Sequence, residues 1–159
     1  MALSTDKAKR EPTTGNGKER DRAAIERVIA KMSQAIRNKD VEAMLELCTP
    51  DFITFDLVAP IQHQGADAIR RLWARTLEAF DGPIQYELQW MEIDVAGEVA
   101  FSRGLGHFKA KTTGGKVLDN WLRFTHGFRK VDGEWKVAHE HVSVPFDMET
   151  GKALLELRP

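Results

Sequence analysis

The sequence predicts an α+β domain in which N-terminal helices sit inside a curved antiparallel sheet, together forming a cone. Three observations predict it. Apolar side chains recur at spacings of three and four only in the first half of the chain, at Ile25, Val28, Ile29, Met32 and Ile36, and again at Ile69, Leu72, Trp73 and Leu77. From Ile84 onwards the pattern changes to long alternating runs separated by turn residues. Within that half, Val117 to Lys130 and Trp135 to Val144 flank Val131-Asp132-Gly133-Glu134, and an Asp-Gly pair between alternating runs is a strong hairpin signal. Helices first and strands afterwards is the element order of an α+β fold.

Taken in order, residues 1–19 mix Lys, Glu, Thr, Gly, Asn and Pro with almost no large apolar groups, the composition of a disordered tail. The folded domain is expected over residues 20–146, with a C-terminal tail at 147–159. A helix starts at Asp21 and ends at Asn38-Lys39. Asp40 caps a short second helix carrying Val41, Met44, Leu45 and Leu47, which Thr49-Pro50 stops. Phe52 to Val58 reads as a strand rich in β-branched and aromatic residues, broken by Pro60. Ile61 to Gln64 pairs briefly. A third helix then runs past Phe80 until Asp81-Gly82-Pro83. Ile84 to Val95, Val99 to Ala110 and the hairpin complete the sheet. Asp147 to Leu157 forms a helical turn or packs as an arm.

Composition excludes several classes. The chain has 159 residues with 23 basic and 24 acidic side chains, so no basic field points to nucleic acid. No apolar run approaches the ~20 residues of a membrane span. Met1 to Arg20 lacks the apolar core of a signal peptide, and a cytoplasmic protein is expected. The single cysteine, Cys48, lies among Leu45, Leu47 and Phe52 and reads as a buried structural thiol. A lone thiol cannot build a cysteine zinc cluster, and no metal or cofactor is expected.

Strand alternation supplies the first candidate site residues. Leu118, Leu122, Phe124 and Phe128 occupy the even positions of their strand, so that face is inward and carries Asn120 and His126 with it. An imidazole inside an apolar face suits hydrogen-bond donation to a developing oxyanion; its bland alternative is a core histidine bonded to backbone. Asp56, between Phe55 and Leu57, suits proton acceptance if it faces the cone, since burial raises a carboxyl's proton affinity. Arg103 shares a parity with Val99, Phe101, Leu105 and His107, and a guanidinium placed on that face needs a carboxylate partner, Asp56 or Glu140, or an anionic ligand that it would anchor. Glu140 alternates with Ala138 and Val142. His139 and His141 have the spacing of a metal pair on one strand face, but no third ligand is evident at fitting spacing. By simple parity they are grouped with Trp135 and Val137 on an outer face that, with Trp121, suits a homodimer contact.

Longer motifs carry a resemblance. Ala35-Ile36-Arg37-Asn38-Lys39-Asp40, Pro50-Asp51-Phe52 and Gly65-Ala66-Asp67-Ala68-Ile69-Arg70 are similar to the opening pattern of the nuclear transport factor 2-like superfamily, in its SnoaL-like, ketosteroid-isomerase-related branch. Asp132-Gly133-Glu134-Trp135-Lys136-Val137-Ala138-His139-Glu140-His141-Val142-Ser143 resembles its closing pattern, and also that of the association domain of calmodulin-dependent kinase II. The resemblance implies a small-molecule pocket and homo-oligomers. It places the isomerase base at Asp56, nine residues before Gly65, and the isomerases' sheet aspartate at His126. The oxyanion tyrosine of the isomerases falls at Met32, so the implied chemistry is acid–base work on an apolar substrate other than the steroid reaction. The kinase likeness places Arg103, His126 and Val142 in the pocket. Asp56 and His126 are thus the catalytic candidates, and Arg103, Glu140, Asn120 and Met32 the ligand-binding ones. The alternative is a non-catalytic binding or assembly module.

Overall fold

The computed structural model describes residues 15–159. Helix α1 spans Gly15–Asn38, α2 Val41–Glu46 and α3 Ala66–Glu78; the strands are β1 Cys48–Phe55, β2 His63–Gln64, β3 Phe80–Ala96, β4 Val99–Thr112, β5 Val117–Val131 and β6 Glu134–Ser143. They form one curved six-stranded sheet in the order β2-β1-β6-β5-β4-β3. All neighbours are antiparallel except β1 and β6, which run parallel. The α+β architecture expected from the element order is the one observed.

Several boundaries move. Residues 15–19, expected in the tail, belong to α1; the rest of the expected tail, residues 1–14, lies outside the described residues. The third helix closes at Glu78 and does not reach Asp81-Gly82-Pro83, which lies inside β3 at a register irregularity between Asp81 and Gln85. Among the described residues, no helix is long and apolar enough to cross a membrane.

The helices cover one face of the sheet. Ile25, Met32 and Ala35 from α1 and Ile69, Leu72 and Trp73 from α3 are buried against it, with Ile25 and Ile69 at 0 % exposure. Burying a side chain of that size contributes about 1.5–3 kcal/mol. The Asp40 carboxylate accepts a hydrogen bond from the Ala43 N–H (3.0 Å), which starts α2 as the capping pattern predicts. Asp21 on α1 reaches the far hairpin, accepting from Trp135 Nε1 (2.9 Å) and pairing with Lys130.

Beyond Ser143 the chain continues along β5 past the end of β6. Phe146 and Ala153 bridge, the Asn120 side chain donates to the Leu155 carbonyl (3.1 Å), and Arg158 reaches the Asp119 carbonyl (3.1 Å). The segment packs as an arm. Asn120, one of the ligand-binding candidates, holds that arm with its side-chain amide, at the end of β5 that outruns β6.

Candidate functional site

Register decides which polar groups meet on the helix-covered face. Thr54 on β1 stands opposite Glu140 on β6, Glu140 opposite His126 on β5, and His126 opposite Ser102 on β4. Residues opposite one another share a face, so the four side chains form a row across the sheet. Thr54 and Ser102 are 0 % exposed, His126 4 % and Glu140 9 %. Ser102 Oγ hydrogen-bonds His126 Nδ1 (3.2 Å); His126 Nε2 lies 3.3 Å from Glu140 Oε2; Thr54 Oγ1 donates to Glu140 Oε1 (3.5 Å). Phe124 stacks on the His126 ring at 5.8 Å, and Phe128 flanks it at 5.9 Å.

The inward placement of His126 follows from alternation, as expected. The inward placement of Glu140 has a different origin. Val137 pairs with Phe128 and His139 with Gly127, so Ala138 is an extra residue opposite nothing. That bulge lets Trp135 and Val137 face the core (4 % and 3 % exposed) while Glu140 and Val142, of the other parity, face it too. The grouping of Trp135 and Val137 with His139 and His141 on an outer face is therefore corrected. The two histidines alone keep that face, where His139 Nδ1 contacts the Ile53 carbonyl (3.0 Å) and Phe55 lies edge-on to both rings. Among the described residues no cluster could hold a metal ion.

Asp56 lies just past the end of β1, beside the row. It follows Thr54 by two residues and is partly buried. Burial, and then the charge of Glu140, raise its carboxyl above the ordinary 3.8; the N–H groups of Val58 and Leu57 and the nearby His63 oppose this. The Val58 N–H donates to Asp56 Oδ1 at 3.2 Å, and His63, itself buried, faces the Val58 carbonyl at 3.4 Å. The loop beyond Asp56 is apolar and outward: Leu57, Val58 and Ile61 are all exposed, Ile61 at 94 %.

Tyr86 on β3 faces the same interior. It is buried edge-on to Phe124 (5.9 Å), and its phenol is pushed well above the ordinary value by burial and then by the Glu140 charge. Cys48 is pushed well up by the same two causes, in keeping with a buried thiol. Glu140 is thus the charge felt by every other titratable group facing this region whose proton affinity moves.

Arg103 is not part of the site. The inward face of β4 is Ala100, Ser102, Gly104 and Gly106, and Arg103 points outward to pair with Glu92 and, at 3.7 Å, Asp94. The reason is space. A Cβ on Gly104 would meet Met91 Sδ at 2.2 Å, and one on Gly106 would meet the Phe124 ring at 2.5 Å. Neighbouring side chains lie directly on the β4 backbone, so the small-residue face turns in and the larger one turns out. Met32 is buried in the helix-covered core.

Sequence reasoning missed Ser102, Thr54 and Tyr86. Ser102 carried a signal in the run Ala100-x-Ser102-x-Gly104-x-Gly106, whose small side chains mark a face under close packing. Thr54 shares the parity of Phe52 and Asp56. Tyr86 alternates with Ile84 and Leu88. Two surface concavities lie away from the row: one of about 360 Å³ lined by Lys39, Val41, Ala74, Leu77 and Glu78, and one of about 310 Å³ on the outer sheet face.

Comparison with known proteins agrees with this architecture. An NTF2-like protein of unknown function from Pseudomonas putida KT2440 superimposes with a TM-score of 0.79 at 30% identity, over 89% of this chain and 98% of that one. An NTF2-like superfamily protein from Salmonella enterica serovar Typhimurium gives 0.73 at 19% identity, over 86% and 99%. A ketosteroid isomerase-like protein from Erwinia carotovora atroseptica gives 0.67 at 20%, over 77% and 93%. No curated protein matches the sequence. Residues 25–147 match the SnoaL-like domain family, and with that match covering most of the sequence the chain belongs to this family, within the NTF2-like superfamily.

Proposed function

We propose that this chain is a small-molecule enzyme that moves a proton on an apolar, carbonyl-bearing substrate, with Asp56 as the group that exchanges the proton. The observation that carries this reading is the place of Asp56, partly buried two residues beyond Thr54, where burial and then the charge of Glu140 raise its proton affinity. A carboxyl of raised proton affinity is the stronger base of its kind, which suits it to take and return a proton. His126 has Ser102 and Glu140 on its two ring nitrogens, so it serves as a positioning residue that holds Glu140 rather than as a free donor. Tyr86, kept protonated by burial and then by the Glu140 charge, is the donor this face offers to a developing oxyanion. The exposed apolar loop Leu57–Ile61 beside Asp56 favours an apolar substrate.

A non-catalytic binding module is the second reading, favoured by a specific observation. Among the described residues no buried side-chain polar atom lacks a partner, which is also what a purely structural network achieves. Exchange separates the two. A panel of small apolar ketones incubated with the protein in D2O should include members whose α-hydrogens exchange faster than in buffer, followed by NMR. Asp56→Asn should remove that acceleration by a factor of at least about 100, in the range general acid–base catalysis supplies, while binding of the same ketone persists. Binding with no exchange by the native protein across the panel would favour the module.

A further inference from the structure

The concavity of about 310 Å³ on the outer sheet face has no part in the proton-transfer reading, and its construction is unusual. Trp90 forms one wall and is 61% exposed. Its backbone φ is +50°, within β3 at the register irregularity between Gln89 and Glu92. The other non-glycine residues with positive φ, Lys39 and Asp132, stand at a helix end and a hairpin turn, where left-handed backbone is ordinary. For a bulky side chain inside a strand it is an outlier, and strain of this kind clusters at ligand sites. The indole is nevertheless held: it lies 5.4 Å from Trp121, whose ring is stacked on His107 at 4.9 Å.

Charge complements this wall. Of the lining groups, Arg103 is occupied by Glu92, with Asp94 behind it. Arg123 also lines the concavity and is exposed, and among the described residues it has no carboxylate partner. With both carboxylates gathered on Arg103, the guanidinium of Arg123 is the one that faces the opening without a carboxylate beside it among the described residues. The volume sits at the low end of the roughly 300–1,000 Å³ of small-molecule sites.

We propose that this concavity binds a small aromatic carboxylate, its ring against Trp90 and its carboxylate on the guanidinium of Arg123. A planar guanidinium matches a carboxylate in two parallel hydrogen bonds, and an indole face held at a fixed angle accepts a flat ring in offset stacking. The volume limits the ligand to one or two fused rings.

Titration with 2-naphthoate, followed through the tryptophan indole N–H signals by NMR, tests this. The Trp90 and Trp121 signals should move saturably while those of Trp73 and Trp135 stay in place. Arg123→Gln should weaken binding about tenfold or more. Trp90→Gly should abolish it with a thermal midpoint unchanged or raised, since glycine takes a φ of +50° without strain. Asp56→Asn should leave naphthoate binding unaltered, so this site stands or falls apart from the proton-transfer site. No saturable shift at millimolar naphthoate would overturn the proposal, as would equal affinity for the uncharged 2-naphthamide. A dimer that excludes naphthoate and dissociates on Trp90→Gly would assign the face to a second copy of the chain instead.

Discussion

Glu140 receives Thr54 on one carboxylate oxygen and His126 on the other, and its charge reaches Asp56, Tyr86 and Cys48. A carboxylate 9% exposed is costly unless its oxygens are met, and the row meets them. Asp56 carries the consequence. Its carboxyl binds a proton more tightly in the folded chain than in the unfolded one, so its contribution to stability is complete below the ordinary 3.8 and is lost as pH rises through the folded value. Asparagine resembles the protonated form. Asp56→Asn should therefore raise the thermal midpoint at pH 7, and the gain should vanish below about pH 3.8, read by calorimetry at both pH values.

At the scale of elements, alternation was enough for β5, where Leu122, Phe124 and Phe128 outvote any other assignment and carry His126 inward. It misled on β4 because both faces hold apolar residues, and the deciding factor was the room left by Met91 and Phe124, which a single strand's pattern does not contain. It misled on β6 because the bulge at Ala138 changes parity in mid-strand with no glycine or proline to announce it. The tight β4 face makes its own prediction. Gly106→Ala would drive a methyl group into the Phe124 ring, and overpacking of this kind costs about 1–3 kcal/mol. The loss should appear in denaturant midpoints. Because Phe124 stacks on His126, the imidazole signals should shift in the same variant.

For the whole molecule, the order of helices and strands made the fold readable, while the site depends on register between strands far apart in the chain. Thr54 and Glu140 are 86 positions apart, and only the parallel β1–β6 pairing joins them. Their meeting was not legible from local pattern. The domain is also tied across its length by Asp21, whose carboxylate serves Trp135 and Lys130 on the closing hairpin. Asp21→Ala leaves the indole N–H of a buried tryptophan without its acceptor, which should lower stability by about 1–3 kcal/mol in chemical unfolding. The Asp56 carboxyl signal should be unmoved in that variant, because the tie lies at the other end of β6 from the polar row.

The proton affinity of Asp56 is coupled to the charge of Glu140. The most direct measurement is a titration of the Asp56 side-chain carboxyl by 13C NMR, in the native protein and in Glu140→Gln. The native carboxyl is predicted to titrate above 3.8 and to move down when the Glu140 charge is removed, keeping only the part of the rise that burial supplies. A native carboxyl titrating at the ordinary value, or one indifferent to Glu140→Gln, would contradict the account.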